Sequence, residues 1–187
     1  MENPTARNPS ERKEKPETLY IGTKTKGIKE FTPRRGNYRD ENEGPVIFST
    51  PDKALASIFT IEGCNDSWTK IGYYGDILVV VICMNREDFL KIDKGGFIYE
   101  VPSDTFDYNP NLGMGEKEWT SREPVKPINE TSHSSTLDVM VDNGVQVYFV
   151  DKKTFDDIWD ADDYRKEIIF GLTSENSRRG KNVKVLH

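Results

Sequence analysis

The chain has 187 residues, with 26 Lys and Arg against 32 Asp and Glu, for a formal net charge of −6. Charged residues make up 31% and hydrophobic residues 35%, but 11% are aromatic, which is enough for one core and excludes disorder throughout. The acidic balance excludes binding to nucleic acid through a globally basic face and leaves only a local basic stripe open.

Residues 1–17 hold no aromatic residue, and their charges cancel. They read as a flexible polar tail ahead of a single domain, residues 18–187. Thr18–Thr23 predicts a short strand ended by Gly22-Thr23, and a polar loop follows through Gly44. Val46–Thr50 predicts a second strand opening into a helix. Thr50 is the expected cap, Pro51 the first helical position, and Ala54, Leu55, Ile58 and Phe59 share one face. Glycines at 63, 72 and 75 lead to Ile77–Met84, an eight-residue apolar run. It predicts a buried strand and is far too short to cross a bilayer. Asn85 is placed to cap a short helix through Ile92, with Phe89 and Leu90 inward, before Gly95-Gly96 turns the chain into a strand at Phe97–Val101.

Pro102–Gly115 is a long polar loop, a length that suits a functional segment. Glu118–Arg122 is the next strand expected. Leu137–Val141 and Val145–Val150 flank Asn143-Gly144 and predict a β-hairpin, because a type I′ turn needs positive φ at both central residues. Phe155, Ile158 and Trp159 predict a helix that turns Asp156, Asp157, Asp160, Asp162 and Asp163 to solvent. The stretch Arg178–Lys184 is locally basic. Strands outnumber helices and no βαβ unit repeats, so the expected fold class is α+β with a largely antiparallel sheet.

Several chemistries fall away. Cys64 and Cys83 cannot form a disulfide framework, and both read as reduced buried thiols. His133 and His187 are too few for a zinc site, and His133, in a polar run, reads as an exposed loop residue. No GxxxxGK[ST] loop, GxGxxG turn or GxSxG elbow is present. With no apolar leader in the first seventeen residues, the expectation is a soluble cytoplasmic protein without a membrane partner, in which the Asn65 and Asn129 sequons are chance matches.

What remains is a Gly-Thr at the end of the first strand, a Ser-Thr-Pro at a strand-to-helix junction, and a Glu at the head of a later strand. The pieces are Leu19-Tyr-Ile-Gly-Thr23, Val46-Ile-Phe-Ser-Thr-Pro-Asp-Lys-Ala54 and Glu116-Lys-Glu118. Their order resembles the ADP-ribosyltransferase superfamily, from about Thr18 to the expected hairpin. The resemblance implies a split sheet with NAD in a cleft between two small sheets, and ADP-ribose passed to a protein or nucleic-acid acceptor. It further implies Glu118 as the catalytic carboxylate, with Glu116, two residues earlier on the same strand face, orienting the acceptor. Gly22, Thr23, Ser49 and Thr50 would contact the ligand, and Tyr20, Phe59 and Tyr99 would stack on its rings.

The physical chemistry of these residue types suits that role. A glycine after a strand permits close backbone approach. Hydroxyls and helix N-terminal amides meet at Ser49-Thr50, and a fixed carboxylate stabilises the positive charge that develops on ribose as its bond to nicotinamide breaks. Each piece also has a purely structural reading: a strand end, a helix cap, solvent-facing charges and core aromatics. The family's first strand carries a His or Arg for the ribose, whereas this chain has Ile21, which donates no hydrogen bond. Lys24, Arg34 or Arg35 would have to take that role. Two alternatives stay open: a non-catalytic binding module on the same scaffold, and an RNA-directed transferase using Arg34, Arg35, Arg39 and Arg178–Lys184 as a basic patch.

Overall fold

The computed structural model describes residues 15–34, 43–63, 67–160, 168–169 and 171–181, with the side chains of 159 and 160 outside the description. The order of elements is β1 (Thr18–Thr23), β2 (Ile47–Ser49), α1 (Lys53–Ile58), β3 (Thr69–Tyr74), β4 (Ile77–Cys83), α2 (Arg86–Ile92), β5 (Gly96–Pro102), a single 3-10 turn (Gly115–Lys117), β6 (Trp119–Ser121), β7 (Asn129–His133), α3 (Thr136–Asp142), β8 (Gln146–Val150), α4 (Lys152–Asp160) and α5 (Glu175–Arg178). Among the described residues the strands form three sheets, ordered β1-β5-β7, β2-β6 and β3-β4-β8. Four strand pairings are antiparallel, and β4 with β8 is parallel. The chain is thus α+β with antiparallel-rich sheets and short helices.

Two of these helices lie between two sheets, which explains their composition. Leu55 and Ile58 of α1, with Leu137, Met140 and Val141 of α3, pack on Leu78, Val80 and Ile82 of β4. Ala56 and Val139, on the opposite sides of the same helices, pack on Tyr20 of β1 and Ile98 of β5. Strand β4 is apolar throughout because its other face, Val79 and Val81, is covered by Phe155 and Ile158 of α4 and by Ile169. A further apolar cluster, with Leu19, Ile47, Val101, Phe106, Trp119 and Val125, joins the first sheet to β2-β6.

The Leu137–Val141 segment is helix α3 and not the first strand of a hairpin. Two β-branched valines and the following Asn143-Gly144 suit a strand entering a hairpin turn, but burial between two sheets also suits a short helix that is apolar on two sides. Ser135 caps it by accepting from the Asp138 amide. Asn143-Gly144 is the helix stop: Gly144 has φ +85°, its amide donates to Val141 O (3.1 Å), and the Val145 amide donates to Met140 O (3.0 Å). That is the Schellman pattern, in which the left-handed residue follows the cap.

Smaller corrections follow the same physics. Helix α1 starts at Lys53, with Asp52 as its cap in place of Thr50. Thr50 instead accepts from the Asp52 amide at 3.0 Å. Asn85 caps α2 as expected and Phe89 is buried, but Leu90 is exposed. Cys83 is half-buried and unpaired, while Cys64 lies outside the described residues. Of the expected tail, Lys15 donates to Asp104 O (3.0 Å) and Glu17 O accepts from the Ser103 amide (3.2 Å); residues 1–14 lie outside the description. Beyond β8, the Asn176 side chain accepts from the Val147 amide (3.2 Å) and donates to Val145 O (2.9 Å) along the strand's outer edge. No helix among the described residues is long and apolar enough to cross a membrane.

Candidate functional site

Strand β1 crosses the centre of the candidate site. On one side it pairs with β5. On the other, the Tyr20 amide donates to Thr50 O (2.7 Å) and the Thr50 amide donates to Tyr20 O (3.0 Å), which ties β1 to the end of β2. A cleft of about 570 Å3 opens at this junction, within the range of about 300–1,000 Å3 common for small-molecule sites. Its lining includes Tyr20, Gly22, Thr23, Arg34, Ser49, Thr50, Phe59 and Glu118. The first-strand, strand-to-helix and carboxylate motifs therefore meet in one place, although they are distant in sequence.

Each residue is held by an identifiable neighbour. Gly22 packs against α1: a Cβ there would lie 1.8 Å from Ala56 O, so its lack of a side chain serves helix packing. Ser49 donates to Trp119 O at 3.4 Å across the β2-β6 pair. Lys53 places its ammonium 5.9 Å from the centre of the Tyr20 ring, within cation–π range. Phe59, just past α1, is 44% exposed and presents a ring to the cleft. Glu118 follows the 3-10 turn, and its Oε2 accepts from the Met114 amide at 2.8 Å, fixing the carboxylate by a charge-assisted bond.

Other expected roles change. Glu116 lies within the 3-10 turn, exposed, with its carbonyl accepting from the Trp119 indole at 2.9 Å. It shares no strand face with Glu118, because β6 begins only at Trp119, and it is not part of the cleft lining. The start of α1 is capped by the Asp52 carboxylate, which accepts from the Ala54 amide at 2.9 Å, so this end of the helix already holds an anion. Asp52 also accepts from the Tyr73 hydroxyl at 2.7 Å; burial first, and then this bond, push the Tyr73 phenol far above its usual value. His133 lies in β7 opposite Gly96, half-buried, with Nε2 enclosed and without a hydrogen-bond partner. Burial, reinforced by the nearby Lys53 charge, holds its pKa below the usual histidine range.

The cationic residues are more committed than composition suggests. Lys24 lines the cleft, but its ammonium donates to Gly95 O at 2.6 Å. Arg34 is exposed at the cleft edge and pairs through its backbone with Val46. In the expected basic patch, Arg179 is bound to Glu175 and Asp138, and Lys181 to Asp142; these pairs neutralise much of it. Arg35, Arg39 and Lys184 lie outside the described residues.

Apolar residues and a second acid complete the lining. Ile21, Ile28, Phe31, Ile47 and Phe48 make part of the lining apolar, and the exposed Glu30 adds a second acid. Tyr99, expected to stack on a ligand, is 0% exposed and packs edge-on to Phe31 with ring centres 5.3 Å apart. Its hydroxyl is bound to Glu130 Oε2 at 2.7 Å. Burial, then this bond, raise the phenol's pKa. The same bond, helped by the Gly27 amide, lowers that of Glu130. No family model, curated protein or solved structure matches the chain.

Proposed function

We propose that the protein is ADP-ribosyltransferase-like and binds NAD or a related nucleotide in the cleft between β1 and the β2–α1 junction. The supporting observation is that Gly22-Thr23, Ser49-Thr50, Phe59 and Glu118 line one cleft of about 570 Å3. In this reading the backbone at Gly22-Thr23 and the hydroxyls at Ser49-Thr50 hold polar groups of the ligand, while Tyr20 and Phe59 offer ring faces. Glu118, held by the Met114 amide, stabilises the positive charge that develops on ribose when the bond to nicotinamide is broken. The acceptor is a protein or a nucleic acid.

A second reading, binding without chemistry, is favoured by Ile21. Its side chain packs with the Leu19, Val101 and Trp119 cluster and offers the ligand no hydrogen bond. Calorimetric titration with NAD, together with nicotinamide release by the wild type and by Glu118→Gln, separates the readings. Binding with release that is lost in the variant supports the transferase. Binding without release supports the module, and no heat with no thermal shift at millimolar NAD overturns the nucleotide reading.

A further inference from the structure

We infer that Tyr99 and Glu130 are positioning residues that hold the Lys24–Glu30 segment as one wall of the cleft and thereby set how tightly a ligand is retained. For its ligand the inference rests on the nucleotide reading above; for the wall it stands on geometry alone. The segment leaves β1 at Thr23 and is caught again at Phe31, whose backbone exchanges hydrogen bonds with Val125 at 2.8 and 2.9 Å. Between those points it forms no strand, so apart from Lys24, which reaches Gly95 O, its course depends on side chains of the other two strands of the β1 sheet.

Those side chains are Tyr99 and Glu130, register partners on β5 and β7. The Tyr99 oxygen accepts from the Ile28 amide at 3.1 Å and lies 2.9 Å from Thr25 O. Glu130 Oε2 accepts from the Gly27 amide at 2.8 Å and from the Tyr99 hydroxyl at 2.7 Å. A phenol has one proton, so Thr25 O and the carboxylate compete for it, and the carboxylate makes the stronger, charge-assisted bond. Gly27 sits at φ +69°, a conformation that brings successive amides onto the pair. Thr25 and Ile28, which this arrangement fixes, and Glu30, which follows on the same segment, all line the cleft. Tyr99 is fully buried and Glu130 is exposed, which gives two independent ways of releasing the wall, one of them without touching the core.

The test is amide hydrogen exchange on the full-length chain, with NAD titration in parallel, for Tyr99→Phe, Glu130→Ala and Glu130→Gln. Tyr99→Phe keeps the ring packing against Phe31 and removes only the hydroxyl. Glu130→Ala is at an exposed site and leaves the core untouched. Exchange at Gly27 and Ile28 should accelerate by about tenfold in Tyr99→Phe and Glu130→Ala, as expected for losing one to two hydrogen bonds. Amides of β4 should not change, and the Kd for NAD should rise by a similar factor. Glu130→Gln retains an acceptor oxygen and should rescue most of both effects. Unchanged exchange at Gly27 and Ile28, or faster exchange with an unchanged Kd, overturns the inference. Wild type that fails to bind NAD overturns the nucleotide reading and the affinity half of the inference, while the exchange measurement still decides whether this pair holds the wall.

Discussion

The carbonyl oxygen of Ala56 in α1 lies 1.8 Å from the point that a Cβ on Gly22 of β1 would occupy. Helix and strand touch backbone to backbone at the cleft, and neither can yield without moving the other. Gly22→Ala should therefore destabilise the fold by about 1–3 kcal/mol or more, measured by urea denaturation. It should also weaken ligand binding, because α1 carries Phe59 just beyond its end.

Gly144 provides the contrasting case. Its φ is +85°, yet a Cβ there would meet nothing within 4 Å. Gly144→Ala should cost only the left-handed backbone penalty of about 1–2 kcal/mol. The Asn143-Gly144 pair serves a helix end, so the variant should lose helical circular dichroism, whereas a hairpin turn would show no such loss.

Asp93 links α2 to β5 and organises the start of α3. Its carboxylate accepts from the Thr136 amide (2.8 Å), the Leu137 amide (3.0 Å), the Gly95 amide (3.0 Å) and the Ser135 hydroxyl (2.9 Å). Burial opposes its ionisation, but these donors prevail and its pKa is lowered. A carboxyl with a depressed folded pKa stabilises fully above its unfolded value, about 3.9, and loses that contribution as pH falls through the lower folded value. Asp93→Asn should cost about 1–2 kcal/mol at pH 7, and the gap to wild type should shrink below about pH 4, as read from urea midpoints at pH 7 and pH 3.

Glu175 of α5 has a side chain only 1% exposed, flanked by Arg86 and Arg179. Arg86 binds it through two bonds of 2.8 and 3.0 Å, and Arg179 through one of 2.8 Å. Glu175→Ala should cost about 3 kcal/mol, since it leaves two guanidinium groups facing each other. Because Arg86 and Arg179 share one carboxylate, a double-mutant cycle on the two arginines should be non-additive.

The parts of the fold that were legible in the sequence are those set by local chemistry. Strand β1 ends at Gly22-Thr23, Asn85 caps α2, and the unbroken apolar run of β4 announces burial on both faces. Helix α3 is not legible locally, because Asn143-Gly144 serves a helix stop as well as a hairpin turn, and only the sheets on either side make a helix with two apolar sides worthwhile. The cleft was half legible. Its motifs are local, but Glu116 lies in a turn ahead of β6, whose start the sequence does not mark. The Tyr99–Glu130 pair was invisible, since its partners at Thr25, Gly27 and Ile28 are joined to it only by the pairing of β5 with β1 and β7.

Among the described residues β8 is an edge of its sheet, and the Asn176 side chain lies against that edge. Its primary amide offers the donor and acceptor that a peptide group of another strand would offer, and they meet Val145 O and the Val147 amide. Strand β8 would otherwise present these groups as a template for a second chain. One side chain thus stands in for a single peptide group of a neighbouring strand, and its removal would leave these two groups open. Asn176→Ala should accordingly be recognised first by concentration-dependent self-association rather than by a change in the cleft.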